Sequence, residues 1–222
     1  MSTITGAKTK SMKKVSYDIQ EFPFSENIKK LFEVDDLALL NDHVDVFSRE
    51  KDQSTHYHKL FYELARTDQF IGLYERFILE VVKPLYQEQI VYQAIPTFRI
   101  AYPNNIAVGE WHKDKFYRDI NWAEEVEEDN FFLPFTDAFD TNTIWVESEE
   151  DKGDYAPMHC TYGELIQWNG SNLMHGNKVN KTGKARVSVD FRVMTYSNYK
   201  PSEHGSINTN TKFKIGEYYK LA

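Results

Sequence analysis

Two histidines and one aspartate have the residue types and the spacing that could bind a transition metal. His112 and Asp114 are two residues apart in GEWHKDKFY (109–117), which we predict to be extended, so both side chains project to the same side. His175 follows in the Gly- and Asn-rich segment WNGSNLMHGN (168–177), next to a predicted strand. Two imidazoles and one carboxylate can occupy one face of an octahedron around Fe(II) and leave the other positions open. An H-x-D pair with a later histidine is not sufficient by itself, because such pairs occur by chance.

The other histidines and the cysteine favour structural roles. His56 and His58 are two residues apart in a predicted helix and point about 200° apart, so they cannot share a metal. Cys160 follows His159, but neighbours in a strand face opposite sides, which argues against a nucleophilic thiol. The sequence contains no phosphate-binding glycine loop, no dinucleotide fingerprint and no Cys/His zinc spacing.

Arg186 and Ser188 follow His175 at a spacing that strengthens the metal hypothesis, since together they form the pattern H-x10-R-x-S. The motifs WHKD, GELIQWNGSNLMHGN and TGKARVSVDFRV lie within residues 102–193. They resemble the double-stranded β-helix core of the Fe(II)/2-oxoglutarate-dependent oxygenases. The resemblance is nearest to small bacterial oxygenases of the phytanoyl-hydroxylase-like and antibiotic-biosynthesis types.

This resemblance implies a role for each matching residue. The two histidines and the aspartate would bind iron, and Arg186 would pair with the distal carboxylate of 2-oxoglutarate, with Ser188 as a supporting donor. Tyr102 resembles a tyrosine with which some family members contact the cosubstrate. The chemistry agrees, because a planar guanidinium binds a carboxylate through two parallel hydrogen bonds and keeps its charge in a partly buried site.

Three further residues are candidates for binding the substrate. Arg192 shares the predicted strand face of Arg186 and could replace it or grip an acidic group of the substrate. It could also form an ion pair with Asp190 or with a neighbouring strand. Trp111 could shape a substrate wall, although core packing is the more common use of tryptophan. Asn172 could donate to a substrate or simply hold its turn.

The activity that the resemblance implies is hydroxylation of a small polar metabolite, such as an amino acid, an amino-sugar or a natural-product intermediate. It would use Fe(II), 2-oxoglutarate and O2 and release succinate and CO2. Halogenation is not expected, because the halogenating relatives have a small residue in place of Asp114. The alternative is a jelly-roll binding module or a metal-binding cupin-like isomerase, in which the same residues hold a structural or Lewis-acid metal. Arg186 favours the oxygenase, since neither alternative needs a carboxylate clamp there.

The elements that must position these residues begin, in chain order, with predicted helices. A hydroxyl N-cap in Ser54-Thr55 precedes apolar residues at helical spacing, and a second helix starts near Thr67-Asp68. Pro84 should end this last helix because it lacks an amide donor. The apolar stripe of these helices could cover a sheet or form the surface of a homodimer. Residues 16–88 are therefore expected to form a helical layer.

Strands are predicted after Gln89. Five short segments are rich in β-branched and aromatic residues, namely 90–102, 130–139, 141–148, 164–168 and 185–196. In the last segment a strict alternation places Arg186, Ser188, Asp190 and Arg192 on one face, which could line a ligand cavity or face solvent. Strands without intervening helices favour an antiparallel sandwich or barrel. The predicted fold is mainly β, a jelly-roll, cupin-like double-stranded β-helix with a packed N-terminal helical layer.

Composition limits the remaining possibilities. The chain has 222 residues and a net charge of −8, which argues against nucleic-acid binding. We expect a single domain with a flexible segment at 1–15, a β-core at 89–200 and a C-terminal extension at 201–222. No apolar run approaches the ~20 residues that span a bilayer and no signal peptide is visible, so a cytoplasmic protein is expected. The single cysteine fits a reducing compartment.

An acidic run, EEVEED (124–129), lies shortly after the H-x-D pair. Such a run is usually a solvated loop. If it overhangs the metal site, it would favour a cationic substrate.

Overall fold

The structure is a computed structural model that describes residues 12–41, 54–107, 110–117, 126–206 and 211–222. Its α-helices are α1 (Phe24–Phe32), α2 (His56–Leu64) and α3 (Asp68–Phe77). The side chains of Thr55 and Thr67 accept hydrogen bonds from the first turns of α2 and α3. This confirms the hydroxyl cap predicted in Ser54-Thr55 and the helix start predicted near Thr67-Asp68. A π-helical turn and a 3-10 turn prolong α3, and the helical chain ends at Leu85, one residue after Pro84.

Antiparallel strands form most of the remaining structure. They are β1 (Lys13–Ser16), β2 (Ile90–Gln93), β3 (Thr97–Ala101), β4 (Asp129–Pro134), β5 (Ile144–Val146), β6 (Ala156–Pro157), β7 (Glu164–Trp168), β8 (His175–Asn177), β9 (Arg186–Thr195), β10 (Gly205–Ser206), β11 (Thr211–Lys212) and β12 (Tyr219–Leu221). The large sheet has the order β1-β7-β4-β9-β2-β12, and β3 also pairs with β9. A small sheet has the order β6-β5-β8, and β10 pairs with β11. The predicted mainly-β class with N-terminal helices is confirmed.

The central strand β9 has two chemically different faces. Its apolar residues Val187, Val189, Phe191 and Val193 are buried in the main core beside the helices. On the opposite face Arg186 and Ser188 are also buried, although they are polar. The predicted alternation is therefore confirmed, and this part of the polar face lies inside the protein.

The helical layer packs on the large sheet. The ring of Phe61 in α2 stacks on Phe98 in β3 with the ring centroids 4.3 Å apart. Tyr74 in α3 meets Phe191 in β9 edge to face at 5.6 Å. The apolar stripe of the helices is thus used inside the molecule, and it no longer argues for a dimer surface.

Three predicted boundaries differ from the structure. Segment 90–102 is two strands, β2 and β3, because Pro96 between them has no amide to donate to a ladder. Residues 13–15, expected to be flexible, lie in β1, whose Val15 packs against the core. Residues 1–11 lie outside the described part of the chain. The expected C-terminal extension contains β12, which pairs with β2 at the edge of the large sheet.

Within the described residues, no helix combines the length and the apolar character that crossing a membrane requires.

Candidate metal centre

The side chains of His112, Asp114 and His175 converge at one point. Their potential ligand atoms all lie within 4.8 Å of one another. Oδ1 of Asp114 is 3.4 Å from Nε2 of His112 and 3.7 Å from Nε2 of His175. Across the described ranges, this is the one group of three or more His, Cys, Asp or Glu side chains with spacing suitable for a metal.

Backbone hydrogen bonds hold the H-x-D segment in place. His112 forms an isolated antiparallel bridge with His175, and the amide of Asp114 donates to the carbonyl of Gly170 at 3.0 Å. Asp114 begins a short 3-10 helix (Asp114–Tyr117), so the prediction of a fully extended segment is wrong from this residue onward. The two side chains still converge, because the anchored amide of Asp114 fixes its position next to the bridge.

The outer nitrogen of each histidine ring faces a backbone carbonyl. Nδ1 of His112 lies 3.0 Å from the oxygen of Glu110, and Nδ1 of His175 lies 2.9 Å from the oxygen of Leu173. Because a carbonyl only accepts, we assign the proton to Nδ1, which leaves the Nε2 lone pair directed at Asp114. Each imidazole is therefore oriented as a metal ligand.

Burial and charge act on the two rings to different extents. Burial lowers the pKa of His175. Burial also acts against protonation of His112, but the nearby Asp114 carboxylate and the Glu110 carbonyl outweigh it and raise the pKa of this ring. A divalent cation between these atoms would favour the neutral form of His112, in which Nδ1 carries the proton and Nε2 can bind the metal.

The second carboxylate oxygen of Asp114 is occupied by protein donors. Its Oδ2 accepts from Nδ2 of Asn130 at 2.8 Å and from a terminal nitrogen of Arg192 at 2.9 Å. Two imidazole nitrogens and one carboxylate oxygen therefore face a common point, which is a donor set that fits Fe(II) and other first-row divalent ions. Asn130 was missed from the sequence, where one asparagine at the start of a strand carries no signal.

Arg186 is a buried cation beside this centre. Its guanidinium donates to the carbonyl of Asn142 at 3.0 Å, to Oγ of Ser188 at 2.8 Å and to Oδ1 of Asn177 at 3.4 Å. Asn177 is two residues after His175 in β8, so the two side chains share a face of that strand.

The charge of Arg186 has no carboxylate partner among the described residues, and burial lowers the pKa of the guanidinium to about 10. Three of its five N–H groups are used, which leaves donors for an added anion. These residues fit the distal carboxylate of 2-oxoglutarate, because a carboxylate would compensate a desolvated positive charge. The ring of Tyr102, the third residue predicted for the cosubstrate, is buried in the main core.

Arg192 reaches the metal centre through Asp114. Its other terminal nitrogen donates to the hydroxyl of Tyr218 at 3.0 Å, and its Nε lies 3.8 Å from Oε2 of Glu128. The predicted ion pair is present, but its partners are Asp114 and Glu128 and not Asp190. Oδ1 of Asp190 lies 3.6 Å from Nε of Arg99 on β3. Arg99 lies on the same polar face and carried no signal in the sequence.

Trp111 and Asn172 differ in what they contact. Trp111 is 39% exposed and packs against Tyr155 and over the backbone of Gly176, beside His175. Core packing is therefore not its role. Asn172 bonds to Oδ1 of Asn169 within its turn and accepts from Lys115 at 3.2 Å. The structure gives Asn172 the turn-holding role, and substrate binding by either residue stays a prediction.

The acidic run 124–129 is only partly a solvated loop. Glu127 is exposed, and residues 124 and 125 lie outside the described part of the chain. Glu128 and Asp129 are buried. Glu128 accepts from the hydroxyl of Tyr219, while Asp129 accepts from Tyr86 at 2.7 Å and from Gln167 at 2.8 Å. Because both acids are directed at protein donors, they give no support to selection of a cationic substrate.

Cys160 is not a nucleophile in this structure. It is fully buried, and burial raises the pKa of the thiol to about 12. The neighbouring His159 is exposed, so the two side chains lie on opposite sides as predicted.

Comparison of the sequence with known proteins identifies a relative. The streptomycin biosynthesis protein StrG of Streptomyces griseus is 34% identical over 217 residues, which are 93% of this chain and 96% of StrG. No protein-family model matches the chain.

Two solved structures share the architecture. The non-heme α-ketoglutarate-dependent carbocyclase SnoK from nogalamycin biosynthesis aligns with a TM-score of 0.54 at 9% identity, over 96% of this chain and 92% of SnoK. The nickel complex of the non-heme monooxygenase ThoJ aligns with a TM-score of 0.51 at 14% identity, over 82% of this chain and 71% of ThoJ. The chain belongs to the family of the streptomycin biosynthesis protein StrG, and it shares its fold with the solved structures of SnoK and ThoJ.

Proposed function

We propose that the protein is an Fe(II)/2-oxoglutarate-dependent dioxygenase that hydroxylates a small polar metabolite and releases succinate and CO2. The iron ligands are His112, Asp114 and His175. Arg186 binds the distal carboxylate of 2-oxoglutarate, and Ser188 aligns the guanidinium. The large sheet and the small sheet β6-β5-β8 are the two sides of a double-stranded β-helix that encloses this site.

One observation carries the proposal, namely the position of Arg186. Its buried guanidinium has no carboxylate partner in the described part of the chain, and it contacts Asn177 two residues along β8 from His175. Asp190 acts on this buried charge only from beyond ion-pair distance, so an anionic ligand bound directly to the guanidinium would offset its desolvation. That anion would bind next to three oriented metal ligands, which is the arrangement that a chelating 2-oxo acid requires.

The protein groups have separate tasks in this reaction. Fe(II) held by His112, Asp114 and His175 would activate O2, and O2 is the oxidant that converts 2-oxoglutarate to succinate and CO2 and hydroxylates the substrate. The carbonyls of Glu110 and Leu173 keep the Nε2 lone pairs of the histidines directed inward. Arg186 orients the cosubstrate, and the partly exposed side chains of Trp111, Arg99 and Asp190 are available to contact the substrate.

The likeness to StrG supports a substrate from natural-product biosynthesis. StrG is named for streptomycin biosynthesis, so we infer a small polar intermediate for this chain, with an amino-sugar as one candidate. Arg99 and Asp190, which would form part of the wall of the substrate site, have opposite charges. Such a wall favours a substrate that both donates and accepts hydrogen bonds over a purely cationic one.

Succinate formation tests the proposal. Protein with Fe(II), 2-oxoglutarate and ascorbate is first screened for succinate release with amino acids, amino-sugars and small hydroxylated metabolites. The KM for 2-oxoglutarate is then measured for wild type, Arg186→Leu and Arg99→Leu. Arg186→Leu should raise the KM for 2-oxoglutarate by about 10-fold or more, since a hydrogen bond to a charged group contributes about 1.5–3 kcal/mol. Arg99→Leu should leave it within about 3-fold. Equal KM values for wild type and Arg186→Leu would contradict the clamp.

The alternative function is a metal-binding cupin-like isomerase or a jelly-roll binding module. Both would need the metal ligands but no carboxylate clamp at Arg186. Metal binding that is unaffected by 2-oxoglutarate would favour this alternative. A homodimer stays a prediction without support from the helical stripe.

A further inference from the structure

The two carboxylate oxygens of Asp114 have different surroundings. Oδ1 faces the Nε2 atoms of both histidines, whereas Oδ2 accepts from Arg192 at 2.9 Å and from Asn130 at 2.8 Å. The Asp114 side chain is only 8% exposed, so solvent competes little for either oxygen. The bond from Arg192 is charge-assisted and is therefore the stronger of the two.

Arg192 is itself held from two sides. One terminal nitrogen donates to the hydroxyl of Tyr218 at 3.0 Å, and Nε lies 3.8 Å from Oε2 of Glu128. The second oxygen of Glu128 accepts from Tyr219, the first residue of β12. The C-terminal edge of the large sheet therefore fixes the direction in which the Arg192 guanidinium points.

We infer that Arg192 is a positioning residue that keeps Oδ2 of Asp114 away from the metal, so that Asp114 binds through Oδ1 alone. This inference rests on the proposed metal function. A carboxylate can bind a metal through one or both oxygens, and the second oxygen would take a position that cosubstrate or O2 needs. Arg192 is thus assigned to neither 2-oxoglutarate nor substrate.

Arg99 provides a matched control. It lies on the same face of the large sheet, and its side chain is 20% exposed compared with 22% for Arg192. Its Nε pairs with Asp190 at 3.6 Å. Replacing either arginine by Met removes one partly buried positive charge. Arg192→Met removes the hydrogen bond to Oδ2 of Asp114, whereas Arg99→Met removes the ion pair with Asp190.

The experiment uses Mn(II) alone as the probe, without 2-oxoglutarate or substrate. Water-proton relaxation counts the waters that remain bound to Mn(II), and calorimetry gives the affinity and the melting temperature. Arg192→Met should bind Mn(II) with one water fewer than wild type, because Oδ2 occupies that position. The affinity should change by less than about 10-fold, which is the low end of outer-shell effects. Arg99→Met should keep the wild-type water count.

Contrary results would overturn the inference. An unchanged water count in Arg192→Met, with or without a lower melting temperature, would show that Arg192 only supports the fold. If Arg192→Met does not fold, Tyr218→Phe replaces it, since loss of the hydroxyl acceptor frees the guanidinium to turn and should also lower the mean water count. An unchanged count in Tyr218→Phe would then contradict the inference. A wild-type protein that binds no Mn(II) or Fe(II) would overturn the proposed function together with this inference.

Discussion

The backbones of His112 and His175 exchange a pair of hydrogen bonds. The amide of His112 donates to the carbonyl of His175 at 2.8 Å, and the amide of His175 donates to the carbonyl of His112 at 2.9 Å. This pair brings the two imidazole centroids to 4.4 Å from each other. Because the residues are far apart in sequence, the metal ligands come together only when the two segments pair. Metal binding should therefore be coupled to folding.

Gly176→Ala should weaken metal binding through this pairing. A Cβ at residue 176 would lie 2.7 Å from Cδ2 of Trp111, so either the indole or strand β8 must move. Displacement of β8 moves His175, and we expect a loss of about 10-fold in Co(II) affinity measured by calorimetric titration. The control is Gly72→Ala in α3, where a Cβ meets no atom within 4 Å. It should leave the affinity unchanged and stabilise the protein by about 0.5–1 kcal/mol. Equal affinities in both variants would contradict the prediction.

His175→Ala should abolish the metal centre while leaving the fold in place. One of the inward-facing nitrogens is lost, so Co(II) affinity should fall by more than about 100-fold, beyond the range of outer-shell changes. Succinate release should stop as well. His159→Ala is the control, because His159 is exposed and outside the cluster. Metal-dependent turnover by His175→Ala would show that the ligands are wrongly assigned.

His58 should make the protein less stable in acid. Burial lowers the pKa of this ring to about 3 in the folded protein, whereas an unfolded histidine titrates near 6.5. Between these two pH values the unfolded chain binds one more proton than the folded protein. The contribution of His58 to the free energy of unfolding is therefore complete above about pH 6.5 and is lost as the pH falls toward about 3.

We expect the free energy of unfolding to drop through this window by about 1.4 kcal/mol per pH unit from His58 alone. Urea denaturation at several pH values measures the slope. His58→Gln should reduce it, whereas the exposed neighbour change His56→Gln should not. Identical slopes for the three proteins would rule out His58 as the source.

Phe61→Ala should be strongly destabilising because it removes the contact between α2 and the large sheet. The Phe61 ring is fully buried and stacks on Phe98 at 4.3 Å. Large-to-small changes of buried phenylalanine cost about 3–5 kcal/mol. Leu39→Ala, at a residue that is 62% exposed, should change the free energy of unfolding by no more than about 0.5 kcal/mol. A small effect at Phe61 would mean that the helical layer is not packed as described.

Local chemistry explains which features the sequence could predict. The alternation in β9, the hydroxyl cap in Ser54-Thr55 and the helix start near Thr67-Asp68 are each visible within one segment, and the structure confirms them. The H-x-D pair and the later histidine were found because their residue types suit a metal and because a family motif joins them. Pro96 is also a local signal, since it cannot donate to a ladder, and it marks the break between β2 and β3 in segment 90–102.

Other features depend on contacts between distant segments. The bond from Asn130 to Asp114 and the chain from Asp114 through Arg192 to Tyr218 join residues on different elements. The burial of Glu128 beside Tyr219 also depends on a contact between distant segments. The acidic run in which Glu128 lies gives no sign of this burial. Periodicity and composition describe one segment at a time, so such partners appear only in three dimensions.

The most direct test of the oxygenase is a visible spectrum recorded without oxygen. Wild-type protein is loaded with Fe(II), its iron content is verified, and 2-oxoglutarate is then added. We predict a metal-to-ligand charge-transfer band that appears with 2-oxoglutarate, is absent in His175→Ala, and requires a higher concentration of 2-oxoglutarate in Arg186→Leu. No band from iron-loaded wild-type protein would contradict the assignment of this site to an Fe(II)/2-oxoglutarate-dependent oxygenase.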